Sequence, residues 1–304
     1  MKIKLKRIRC PICGSDNNYQ VLHKKNFKLS DLNIKVFSAR RLPDKVHYQI
    51  VKCGKCGLVR STPTVDIKYL SRLYKKSLLT YDDEMDNLTT SYINSVKPIL
   101  KKLPKDAKIL EVGCGNGFVL KAIYDLGYKN VFGIEPSVDA TSKSNSKIKK
   151  NIVTDILKPG LFDKDSFDFI FFFQTLDHIP DPNKFLKECY KLLKINCRIL
   201  AFNHNADSFS SKLLGEKSPI IDIEHTFLYG PETIKKIFEK IGFTVDKVYS
   251  PKNVLSLKHF FWLLPINKKL KLLILNSKIK LLNKKINIKL GNICLEGIKY
   301  ENKV

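Results

Sequence analysis

Residues Ile109-Leu110-Glu111-Val112-Gly113-Cys114-Gly115-Asn116-Gly117-Phe118 decide how this chain is read. Ile109 to Val112 is an apolar run of strand length, the glycine-rich stretch is a turn, and a helix opens behind it. A second apolar run, Val131-Phe132-Gly133-Ile134, ends in a carboxylate, Glu135. Small residues let a backbone approach a ligand closely. A carboxylate about 20 residues further on can accept hydrogen bonds from two ribose hydroxyls. The constellation points to a nucleoside cofactor. A dinucleotide turn, G-x-G-x-x-G, would place its third glycine at position 118, where this chain has Phe118. No Gly-Lys-Ser/Thr follows, so a phosphate-binding loop is excluded as well.

With an acidic residue followed by G-x-G-x-G (Glu111, Gly113, Gly115, Gly117) and an acidic end to the second strand (Glu135), the chain resembles the class I S-adenosylmethionine-dependent methyltransferases. The resemblance implies that the loop faces the methionine end of the cofactor and that Glu135 holds its ribose. Asp155, after Ile152-Val153-Thr154, falls where such enzymes often contact the adenine amino group; the alternative is an aspartate capping the next helix. Gln174-Thr175-Leu176-Asp177-His178 resembles the family's loop after strand four. Open parallel sheets bind ligands at the carboxyl ends of their strands, so Gln174 and Thr175 are expected beside the cofactor. His178 is either a base or an orienter of that loop.

Outward from this centre, the segment from 107 to 249 alternates strand and helix, the rhythm of a parallel sheet. Strands are expected at 107–113, 130–135, 151–154, 167–173 and 197–203, with helices at 117–127, 182–194 and 231–241. Strands leading to about 249 and near 292–300 follow. The expected fold is α/β: a Rossmann-like, seven-stranded methyltransferase sheet behind a small N-terminal zinc ribbon. Residues 1–62 would form the ribbon, 63–104 a helical linker or cap, and 105–304 the methyltransferase domain.

The ribbon rests on two C-x-x-C knuckles, Cys10/Cys13 and Cys53/Cys56, each followed by a glycine. Paired knuckles at this spacing bind zinc, and four thiolates leave no position for a reacting water. The metal is therefore structural. The 39 residues between the knuckles are expected to hold a strand insertion around 35–48. Cys114, Cys189, Cys197 and Cys294 lack partners at ligand spacing and read as ordinary buried thiols.

A second resemblance lies in Asp222-Ile223-Glu224-His225-Thr226-Phe227-Leu228-Tyr229-Gly230-Pro231. It is similar to the segment before the sixth helix of zinc-ribbon-bearing bacterial methyltransferases that act on sugars and related metabolites. Some of these are thought to abstract a proton with the Glu-His pair, here Glu224 and His225. A histidine steadied by a carboxylate suits that task; the alternative is a structural histidine joining the loop to the sheet. Leu228-Tyr229-Gly230 departs from the family's aromatic-serine element, which weakens transfer of the substrate. The acceptor implied is a small molecule, a nucleotide- or lipid-linked sugar or glycan intermediate, methylated on oxygen or carbon.

With 55 Lys and Arg against 29 Asp and Glu, the net charge is +26. Nucleic acid or an anionic membrane is one reading, and lysine filling ordinary surface positions is the other. An RNA methyltransferase is a rival, although the loop at 174–177 lacks the Asn/Asp-Pro-Pro-aromatic pattern of many base-amino methylases. A non-catalytic adaptor is a second rival, opposed by the intact glycine loop. From Lys247 to Cys294 there are eleven lysines and no acidic residue, interleaved with Phe260-Phe261-Trp262-Leu263-Leu264 and Leu272-Leu273-Ile274-Leu275. This basic insertion, about 251–290, is either a helical pair packed on the domain with a solvated lysine face or a peripheral membrane contact. Neither a signal peptide nor a membrane-spanning run is evident, and the expected location is cytoplasmic.

Overall fold

The computed structural model describes residues 5–28, 46–66, 69, 75, 85–264, 267–277 and 279–301. Strands β1 (Leu5–Lys6), β2 (Tyr19–His23), β3 (Ile50–Cys53), β4 (Val59–Ser61) and β5 (Thr64–Val65) build the N-terminal part. Helix α1 (Met85–Leu100) precedes β6 (Ile109–Val112), α2 (Phe118–Asp125), β7 (Val131–Ile134), α3 (Val138–Ser142), α4 (Ser146–Lys149) and β8 (Ile152–Val153). Next come β9 (Phe167–Phe173), α5 (Pro182–Leu192), β10 (Leu193–His204), α6 (Phe209–Leu214), β11 (Phe227–Leu228), α7 (Pro231–Ile241) and β12 (Thr244–Tyr249). The chain closes with β13 (Asn253–Ser256), α8 (Leu257–Leu263), α9 (Lys268–Asn276), β14 (Lys285–Ile288) and β15 (Asn292–Ile298).

Seven strands form the main sheet in the order β12-β15-β10-β9-β6-β7-β8. From β10 to β8 neighbouring strands are parallel, while β15 runs antiparallel to both β10 and β12. The chain winds outward from β6 to β8 and then restarts at β9 on the other side of β6. The switch point therefore lies between β6 and β9, where open sheets form their binding crevice.

The phenylalanine run of β9 sits at the centre because both of its faces are covered. Ile170 and Phe172 pack with Phe185 of α5 and Phe238 of α7; Phe169, Phe171 and Phe173 pack with α1 and α2. Tyr92 of α1 stacks on Phe173 at 3.9 Å between ring centroids, so α1 seals the sheet close to the carboxyl end of β9. Asp181 caps α5 by accepting from the Lys184 amide, with Pro182 at the first turn.

Just past the expected limit at 62, β5 pairs with β1 of the ribbon. The ribbon's sheet, in the order β11-β4-β3-β2, takes its edge strand from beyond residue 226, so ribbon and sheet domain share one structure. The basic insertion is not purely helical, because β13 and β14 pair as an antiparallel base beneath α8 and α9. In the expected helical linker at 63–104, α1 is described, and most of the stretch from 67 to 84 falls outside the described residues. So does most of the strand insertion expected at 35–48.

Candidate active site

The glycine loop runs from the end of β6 into α2, and all three of its glycines have positive φ (78° at Gly113, 55° at Gly115, 75° at Gly117). Two of them are also fixed by packing within the protein. A Cβ at Gly113 would lie 2.5 Å from Thr175 Oγ1, and one at Gly117 would lie 2.6 Å from Ile148 Cδ1. The protein's own side chains therefore also leave no room for a Cβ there. Thr175 fills the space: its hydroxyl donates to the carbonyls of Phe173 and Val112, tying the end of β9 to the loop at the switch point.

Glu135, at the end of β7, accepts from the Gly115 amide at 3.0 Å and from the Ser137 amide at 2.8 Å. Burial outweighs these donors and raises its pKa. Glu111 is 2% exposed, and its Oε2 has no hydrogen-bond partner. Burial first, and then the charge of Glu135, push the Glu111 carboxyl well above the ordinary range. Gln174 stands in the left-handed region (φ 49°), uncommon for a residue with a side chain. Its Nε2 donates to Asn292, and its Oε1 is buried without a partner. Asp155, by contrast, has its carboxylate occupied by the Ile156 amide and Lys158, and no helix follows it to be capped.

A second cluster gathers around Asp177, which is 1% exposed. His204 Nδ1 lies 3.1 Å from Asp177 Oδ2, His178 Nε2 3.9 Å from Oδ1 and His225 Nε2 4.0 Å from Oδ2. Asn203 Nδ2 donates to Oδ1 at 3.2 Å. Burial works against ionising Asp177, but the facing imidazoles outweigh it, and its pKa falls below the usual carboxylate value. Burial pushes His178 and His204 down to about 4. His225 Nδ1 is 2.8 Å from the Ile220 carbonyl. A carbonyl only accepts, so Nδ1 carries the proton and Nε2 of the neutral ring carries the lone pair. At 4.0 Å that lone pair is not committed to a hydrogen bond with Asp177.

The structure thus brings His178 and His225 together, with ring centroids 4.8 Å apart, and sets Glu224 beside them in a buried loop. Two members were missed in the sequence, Asp177 as an acid and His204 altogether. Their signal was positional: β10 lies beside β9 in register, Phe202 opposite Phe173, so the last residues of β10 face the loop that follows β9. The loop holding His225 is fixed from the ribbon. The Ser61 amide donates to the Thr226 carbonyl, the Ser61 hydroxyl to the His225 carbonyl, and the Thr226 amide to the Asp177 carbonyl.

The four knuckle cysteines converge. Cys10 and Cys56 Sγ are 3.3 Å apart, Cys13 and Cys53 Sγ are 3.5 Å apart, and all four lie within 4.8 Å of one another. Tetrahedral zinc with Zn–S bonds of ~2.3 Å separates its sulfurs by about 3.8 Å, so the set fits that ion. The donor atoms of Asp177, His178 and His225 also fall within such a distance of one another, but the carboxylate there already accepts from Asn203. Of the other thiols, Cys114, Cys189 and Cys294 are buried and Cys197 is partly so.

A family profile described as a methyltransferase domain matches residues 85–248, more than half of the chain. The chain belongs to the class I S-adenosylmethionine-dependent methyltransferases, and its seven-stranded mixed sheet is typical of them. It is similar to a ubiquinone biosynthesis O-methyltransferase of Glaesserella parasuis, at 31% identity over 97 residues, 29% of this chain and 41% of that protein. The match therefore spans about two fifths of that relative's length. A tRNA U34 carboxymethyltransferase of Helicobacter pylori is 26% identical over 187 residues, 58% of this chain and 70% of the relative. Among solved structures, the YcgJ protein of Bacillus subtilis aligns with 69% of this chain and 99% of its own, at 16% identity and a TM-score of 0.49.

Proposed function

We propose that the chain transfers a methyl group from S-adenosylmethionine to a small-molecule acceptor. The reading favoured is a nucleotide- or lipid-linked sugar or a glycan intermediate, methylated on oxygen or carbon. The observation that carries the donor half is the pairing of two carboxylates, Glu111 and Glu135, around the 113–117 loop. Burial holds both above their ordinary pKa values, and a cationic ligand would relieve that. Glu111 Oε2 and Gln174 Oε1, buried without partners, are the kind of polar atoms that a ligand satisfies. Each Glu135 oxygen accepts one amide and retains a lone pair for a ribose hydroxyl.

When bound, S-adenosylmethionine supplies an electrophilic methyl group on sulfur. Glu135 would hold the ribose, Glu111 and the loop amides the methionine end, and Gln174 and Thr175 the crevice wall between β6 and β9. His225 would take the acceptor's proton on Nε2, and Asp177 would stabilise the resulting imidazolium. His204 and Asn203 position Asp177, while His178 and Glu224 flank the same cluster. The four cysteines would hold a structural zinc ion that keeps the ribbon, and through Ser61 the His225 loop, in place.

RNA as acceptor is the second reading, favoured by the tRNA-modifying relative and by the charge of +26. Incubation with labelled methyl donor and fractionated cell extract separates the two. Label in nucleotide sugars or glycolipid supports the first reading. Label in RNA replaces it with the second, and label in neither overturns both.

A further inference from the structure

We propose that the insertion between β12 and β15 docks on an anionic lipid surface. This deepens the reading above by choosing the lipid-linked acceptor among its alternatives, and in that respect it rests on that reading. The first observation is composition: eleven lysines and no acidic residue between Lys247 and Cys294. The second is exposure. Leu270, Leu272 and Leu273 of α9 are 48%, 43% and 69% exposed, and Ile279 and Leu281, at the next turn, are 61% and 64% exposed. No residue of α8 is buried, although it carries Phe260, Phe261 and Trp262. A helical pair packed on the domain with only its lysines in water would show the reverse. Here the apolar and basic groups of α9 and the following turn reach solvent together, which is the composition of an element lying at a membrane interface.

The patch is rooted at the active site. Ser91 of α1 receives the Val254 amide at the foot of the insertion. Asn253 of β13 accepts from Asn292, which in turn accepts from Gln174 at the end of β9. Beside the return of the insertion at Gly291 stand Ser208 and Ser210, and the adjoining α6 exposes Phe209 and Leu213, 81% and 71%, four residues apart. A lipid surface is favoured over nucleic acid by side-chain chemistry. The insertion contains no arginine, the fork donor that reads bases, and its most exposed apolar side chains are leucine and isoleucine rather than aromatic rings. Among the described residues no helix is long and apolar enough to cross a membrane, so the contact is peripheral.

The test is flotation of the 304-residue chain with vesicles of phosphatidylglycerol and phosphatidylcholine, against phosphatidylcholine alone. The expected result is binding to the anionic vesicles alone, weakened by salt. Leu273→Asp with Leu281→Asp should reduce it at least tenfold, and Lys269→Glu with Lys280→Glu should reduce it most at low salt. These side chains are exposed, so the melting temperature should not move, which separates lost binding from lost folding. No binding to anionic vesicles, or binding that both double variants retain, overturns the proposal. So does preferential capture of single-stranded RNA that the lysine variant loses and the leucine variant keeps. Methyl transfer from labelled donor, measured in parallel, keeps the two readings apart. Turnover without vesicle binding overturns docking alone, and vesicle binding without turnover overturns the enzymatic reading alone.

Discussion

His225 gains its meaning from atoms that its sequence neighbours do not supply. The motif made it a candidate, but its tautomer is set by the Ile220 carbonyl and its charge partner is Asp177. His225→Ala should leave donor affinity unchanged by calorimetry while lowering turnover by about 10²–10⁴-fold, the usual contribution of a positioned base. Equal loss of donor binding and of folding would make the residue architectural. A pH experiment addresses the same cluster. Burial lowers the folded-state pKa of His178 and His204 from 6.5 to about 4, so between those values the unfolded chain binds protons that the folded chain refuses. Stability should therefore fall as pH drops through that window, by up to ~1.4 kcal/mol per pH unit for each ring. Denaturant titrations should show a shallower slope for His204→Gln than for the unaltered chain. Asp177, depressed in the folded state, adds a further loss below its ordinary value of 3.8. His204 was not legible because it lies 27 residues from Asp177 in sequence and meets it only through strand order.

Continuous apolar strands and capped helices announce themselves, and for that reason β9, α5 and α7 lie where the sequence places them. Phe167 to Phe173 was expected as a strand and is one, since a run buried on both faces can contain little else. The Pro182 and Pro231 starts and the Gly242 end mark their helices in the same way. Strand β11 was illegible for the opposite reason: two residues carry no periodicity, and Phe227 and Leu228 become a strand only by pairing with Arg60 and Val59. The glycine loop also packs against the protein's own side chains, which its spacing in the sequence does not signal, and that is testable. Gly113→Ala should destabilise by more than the ~1 kcal/mol of a simple backbone penalty, because the new methyl meets the Thr175 hydroxyl. Thr175→Ala should recover part of that loss in the double variant, leaving the cost of positive φ. Strictly additive losses in urea unfolding would refute the clash.

At the scale of the whole molecule, the described parts of the ribbon and the sheet domain share a core. Cys10, Cys53 and Leu58 share a core with Phe227, Tyr229 and Ile234. His47 reaches Glu216 at 3.0 Å from the other side. The convergence of the four knuckle cysteines was legible from their spacing, but this sharing was not, since nothing in residues 1–62 signals a partner strand beyond 226. With zinc held by the four cysteines as proposed, a chelator, or Cys53→Ser, should lower the melting temperature of the entire chain in one cooperative transition. Turnover should fall with it, because Ser61 anchors the His225 loop. Two separate calorimetric transitions, with the sheet domain unaffected, would show the units to be independent.

The borrowed strand also imposes an order on synthesis. Ser61 leaves the ribosome 164 residues before His225, which at ~5–20 residues per second is a delay of about 10–30 s. Throughout that interval β4 has an unpaired rim of amides and carbonyls, open to other nascent chains. A truncation ending before residue 222 would make that exposure permanent.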